Sequence, residues 1–147
     1  MFEYFTPPES IVRWMGDYAV LDPWPDGQFT LDINGVPGRG RYLEIDPPRR
    51  LLISWGHAGS ETLPSGTSTV EITLTPEDDG TTVRVVHRDL PVLEARQHAV
   101  GWPHFLGRLV VAGAGRDPRP RPVGADRVNR RRSVSPEAGV CVVGKRI

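Results

Sequence analysis

The chain has 147 residues, with 18 basic against 18 acidic side chains and 38% hydrophobic residues. That supports one ordinary hydrophobic core, is too little for two, and excludes a disordered or membrane-embedded class. A single cysteine, Cys141, excludes an internal disulfide and a cysteine-based zinc site. No apolar run approaches the ~18 residues of a membrane span, and Met1 does not open a signal peptide, so the cytoplasm is the expected location.

The neutral total hides an asymmetry. Residues 1–115 hold nine arginines against fifteen carboxylates, a net −6, whereas residues 116–147 hold nine basic residues against three acids, a net +6. The spacing accordingly predicts one folded domain over 1–115 and a separate basic tail over 116–147.

In chain order, Phe2 to Gly16 predicts two helical pieces. Thr6 is placed to cap the second, with Pro7 in its first turn and Glu9 three residues on, and Gly16 to end it. Residues 19–27 are rich in turn formers and finish on Asp26-Gly27, a strong turn signal. Phe29, Leu31 and Ile33 then alternate with polar residues as in a half-buried strand. Residues 38–45 and 51–56 predict the next two, separated by a Pro47-Pro48 corner that cannot donate ladder hydrogen bonds. Val70, Ile72 and Leu74 predict a fourth, and Val83 and Val85, after an Asp79-Gly80 turn, a fifth. Short turns between such strands imply an antiparallel meander with one face packed. From Pro91 to about Ala112, Trp102, Phe105, Leu106 and Leu109 fall on one helical stripe, with His98 a turn earlier. Gly101 and Pro103 predict a local kink. Beyond Arg116 the proline- and arginine-rich composition predicts a disordered tail.

Two short helices, about five strands and one long C-terminal helix make an α+β helix-grip layout. The sequence itself resembles the SRPBCC superfamily (START, polyketide-cyclase and pollen-allergen-like proteins), within it the bacterial branch related to the activator of the heat-shock ATPase. The resemblance is carried by Phe2-Glu-Tyr-Phe-Thr, Glu9-Ser-Ile-Val-Arg-Trp-Met-Gly and Leu21-Asp-Pro. It continues through Gly40-Arg-Tyr-Leu-Glu-Ile-Asp-Pro-Pro-Arg-Arg-Leu, Ser68-Thr-Val-Glu-Ile-Thr-Leu-Thr-Pro, Gly80-Thr, His87-Arg-Asp-Leu and Gly101-Trp-Pro-His-Phe-Leu. It implies a curved sheet wrapped on the last helix, with a pocket between them for a small apolar ligand. Family members carry an N-terminal strand before the first helix, whereas this chain begins inside that helix. The expectation is therefore a truncated domain with an exposed strand edge that would let two copies pair.

Aromatic residues on these elements are candidates for the cavity wall: Tyr42, Trp55, Trp102 and Phe105, with His87 as the polar member. The alternative is ordinary core packing. His87 shares the parity of Val83 and Val85 and could transfer a proton or serve structurally. Arg41 is the other polar candidate, but it and Tyr42 face opposite sides of a regular strand. His98 and His104 lie on different helical faces and His57 falls in a loop, so no metal site is expected, and no cofactor. No catalytic residue is assigned. There is no nucleophile elbow, and Gly38-Arg-Gly40, with no helix after it, is not a phosphate loop. Arg130-Arg-Arg-Ser lacks interleaved aromatics, which argues against a nucleic-acid partner. The sequence thus points to a protein that binds a small hydrophobic ligand and no membrane. A cyclase- or dehydratase-like enzyme using His87 and Arg41 and a co-chaperone-like interaction protein are the alternatives.

Overall fold

Residues that alternate in polarity form strands where one parity can be buried, and this happens repeatedly from Tyr18 to Arg88. In the computed structural model, which describes residues 1–78, 80–116, 118, 132–135 and 140–147, six consecutive strands make an antiparallel meander. They are β1 (Tyr18–Leu21), β2 (Gln28–Ile33), β3 (Val36–Asp46), β4 (Arg50–His57), β5 (Ser68–Glu77) and β6 (Gly80–Arg88). Their inward parity carries Leu51, Ile53 and Trp55 on β4, Val70, Ile72 and Leu74 on β5, and Val83, Val85 and His87 on β6, all buried. A register shift in β3 between Tyr42 and Glu44 keeps Tyr42 inside while exposing Leu43.

The N-terminal segment has a 3₁₀ turn at Phe2–Tyr4 and a one-turn helix α1 (Pro8–Ile11). Pro7, not Thr6, holds the N-cap position of α1, and no side-chain cap bond forms there. The turns that follow α1 end at Gly16, whose φ of +85° is left-handed. The long helix α2 (Val92–Gly113) is continuous through Gly101 and Pro103, so the expected kink does not interrupt it. It lays Ala95, Ala99, Trp102, Leu106 and Leu109 on the sheet. Tyr4 Oη donates to Ala112 O at 3.1 Å and Arg108 Nε donates to Trp14 O at 3.0 Å, fastening the N-terminal segment to α2.

The α+β helix-grip architecture expected from the sequence is present, but with eight strands among the described residues instead of about five. β1 lies in the stretch read as turns. Two more strands, β7 (Arg132–Ser135) and β8 (Val140–Arg146), lie in the stretch read as a disordered tail. β8 pairs antiparallel with the outer edge of β6, from Thr82 opposite Arg146 to His87 opposite Cys141. Its Val143 stands opposite Val85 and is only 1% exposed, and Ile147 exchanges backbone hydrogen bonds of 2.6 and 2.7 Å with Thr81. A short apolar run therefore finds a ladder and a buried socket, which offset the entropy that composition alone weighs against it. The outer edge of β6 is thus paired within the chain. Asp79, residue 117 and residues 119–131 and 136–139, which include most of the basic tail and Arg130 and Arg131, lie outside the described residues. Among the described residues no helix is long and apolar enough to cross a membrane.

Candidate functional site

Between the inner face of the sheet, α2 and the N-terminal segment lies a cavity of about 280 Å³. Phe5, Ile11 and Met15 close it from the N-terminal segment. Phe29, Ile53, Trp55, Val70 and Ile72 form the sheet wall, and Gly101, Trp102 and Phe105 the helix wall. The Trp55 ring can approach β3 closely because Gly38 has no side chain: a Cβ there would stand 2.0 Å from Trp55 Cη2. A Cβ on Gly40 would likewise meet Ser54 O at 1.7 Å. Close approach of neighbouring strands is thus what the Gly-x-Gly of β3 serves.

Three of the five residues read from the sequence as cavity wall, Trp55, Trp102 and Phe105, line this space. Tyr42 and His87 do not. Tyr42 is inward but covered: its ring packs edge-on against Phe29 at 5.4 Å, and its hydroxyl donates to Phe5 O at 3.1 Å. Burial, and then the Asp22 carboxylate, hold its ionisation well above the ordinary tyrosine range. Arg41 is exposed on the opposite face of β3, so the pairing of Arg41 with His87 that an acid–base mechanism would need does not form.

His87 is fully buried behind Trp102, and both of its ring nitrogens have a hydrogen-bond partner. Trp102 Nε1 can only donate, and it meets His87 Nδ1 at 3.2 Å, so the His87 proton sits on Nε2. Nε2–H donates to Ser68 Oγ at 2.8 Å, and Ser68 donates in turn to Trp55 O at 2.7 Å. The chain runs one way from helix to sheet. It resembles a serine–histidine dyad in composition alone, because the nitrogen that would accept the serine proton is occupied. Burial first, then the neighbouring His98 and His57, lower the His87 pKa well below the usual value, which keeps the ring neutral.

Sequence reasoning missed a cluster of histidines. The rings of His98 and His87 meet edge to face at 4.8 Å, and His57 stacks on His98 at 6.1 Å with planes 15° apart. The signal was available, since His57 extends the Leu51, Ile53, Trp55 alternation by one step and His98 shares the stripe of Trp102. Both His57 and His98 line the cavity. His98 Nδ1 lies 2.7 Å from Glu94 O, one turn back on α2. Burial lowers the His98 pKa against the opposing pull of Glu94, and burial with neighbouring His98 lowers that of His57. Among the described residues no group of three or more potential ligands is arranged to hold a metal ion.

Residues 1–113 match the family described as activator of Hsp90 ATPase homolog 1-like protein. The chain belongs to that family, which lies within the SRPBCC-like superfamily. The solution structure of CalU16 from Micromonospora echinospora is 31% identical, with a TM-score of 0.65 over 87% of this chain. The match spans 65% of the CalU16 chain, less than two thirds of its length. No curated protein matches. Membership supports a ligand-binding or co-chaperone-like fold.

Proposed function

We propose that this protein binds a small, mainly apolar ligand in the cavity between its sheet and α2, acting in the cytoplasm as a carrier or sensor rather than as a catalyst. The observation that carries the reading is the cavity itself: about 280 Å³ of space walled by aromatic and aliphatic side chains, with few polar groups to orient an occupant. Native interiors are normally filled to crystal-like density, so space of this size beside a complete core is selective ground for a ligand. The wall residues of the proposed site are Trp55, Trp102 and Phe105, joined by His57 and His98.

Two observations weigh against the enzyme alternative. The His87 chain is closed at both ends, and Arg41 faces away from the cavity. The co-chaperone alternative draws its support from the family description, which concerns the activator of a heat-shock ATPase. The deciding experiment is a thermal-shift screen of the purified chain against small apolar compounds. A ligand present at 100 times its dissociation constant should stabilise the native state by about 2.7 kcal/mol. A cooperative melt unmoved by every compound would shift the weight to a protein partner.

A further inference from the structure

Besides the indole N–H groups of Trp55 and Trp102, the polar side chains of the cavity wall are Asn34, His57, Gln97 and His98. Asn34 and Gln97 are exposed, so water satisfies them, which leaves the two histidines as the side-chain acceptors of the enclosed part. His98 is the more constrained. Its Nδ1 lies 2.7 Å from the backbone carbonyl of Glu94, an acceptor only, so Nδ1 carries the ring proton and donates it. Nε2 is then a bare lone pair, with no partner among the described residues, on a side chain that is 16% exposed. Reached only from the cavity, it is met by water in the free protein and by a donor of the occupant when that water is displaced.

Resting on the cavity reading above, we infer that the ligand is an apolar molecule bearing one neutral hydroxyl, which donates to His98 Nε2. An anionic head group would need the His57–His98 pair to take up a proton. The groups facing His98 oppose this or repel the anion: His57 from β4 and His87 from β6 are neutral, buried neighbours, and the Glu94 carboxylate on α2 lies 3.9 Å from Nδ1. A wholly apolar ligand would displace the water at this lone pair without replacing its hydrogen bond, at the cost of an unmet acceptor.

The test uses methylnaphthalene, naphthol and naphthoate, which share one skeleton and differ in one group, titrated by calorimetry into the full chain and into His98→Phe and His98→Gln. The expected result is that His98→Phe weakens naphthol about tenfold while changing methylnaphthalene less than about twofold, and that His98→Gln, whose amide oxygen accepts, retains naphthol. Parallel loss of both probes in His98→Phe would overturn the hydroxyl inference and leave the cavity reading intact. Tighter binding of naphthoate than of naphthol would overturn it in favour of an anion. Binding of none of the three to the cooperatively folded wild type would overturn the cavity reading as well. If His98→Phe does not fold, nitrogen NMR of the wild type decides: the His98 Nε2 resonance should move on adding naphthol and not methylnaphthalene, and equal responses to both would overturn the inference.

Discussion

The indole nitrogen of Trp102 donates to Nδ1 of His87 across 3.2 Å, and through Ser68 that bond reaches the backbone of Trp55 on the opposite wall of the cavity. One polar chain thus sets the spacing between the helix wall and the sheet wall. The groups along this chain satisfy one another's hydrogen-bonding needs.

Replacing His87 by Leu should therefore cost more than its packing suggests. The substitution preserves an apolar filling but leaves the Trp102 N–H buried without an acceptor, a loss of about 1–3 kcal/mol. Urea unfolding checks this, and a midpoint equal to that of the wild type would contradict a structural role for the chain.

Stability should fall as pH drops from about 7 towards 5. His87, His98 and His57 all have lowered folded pKa values, so below about pH 6.5 the unfolded chain binds more protons than the native one. The stabilisation is complete above the unfolded pKa and is lost as pH falls below it, by up to about 1.4 kcal/mol per pH unit for each histidine that stays neutral in the fold. His57, which is less buried than His87, contributes less. Denaturant titrations at several pH values should give a reduced slope in His98→Phe, and a flat profile in the wild type would contradict this account.

Gly101 sits mid-helix on the cavity wall, with nothing within 4 Å of where a Cβ would lie. Gly101→Ala should stabilise the protein by up to about 1 kcal/mol, since glycine disfavours the helix and no clash opposes the added methyl group. Gly101→Leu should remain folded and abolish the ligand-induced thermal shift. Retained binding by Gly101→Leu would place the ligand elsewhere.

The parts of this fold that declare themselves by period were legible in the sequence. Leu51, Ile53 and Trp55 marked β4, and Trp102, Phe105, Leu106 and Leu109 marked α2. β1 was hidden because Tyr18–Leu21 is only four residues long and abuts a proline-rich turn. β8 was hidden because four apolar residues in a strongly basic tail carry little weight in composition, although β6 offers them a ladder. At the site, parity separated Tyr42 from Arg41 without saying which faces inward, and put His87 with Val83 and Val85. Both Tyr42 and His87 are buried, but buried is not the same as lining the cavity: Phe29 covers one and Trp102 the other. The histidine cluster required knowing that β4 extends through His57, a boundary one step beyond the last apolar residue.

Removing residues 132–147 should expose the β6 edge and the socket of Val143. The shortened chain is expected to melt at lower temperature and to self-associate with increasing concentration, as unpaired edges do. Sedimentation and calorimetry check both. A truncated chain that is monomeric and melts like the full one would show that β8 contributes nothing to the domain.

The central claim is that the cavity takes up a ligand, and the most direct measurement is a proton–nitrogen NMR titration of the full chain with naphthol, following the indole resonances of its tryptophans. Saturable shifts concentrated at Trp55 and Trp102, and absent in Gly101→Leu, are the predicted result. Shifts confined to exposed Trp24, or no saturable shift at all in the folded protein, would contradict it.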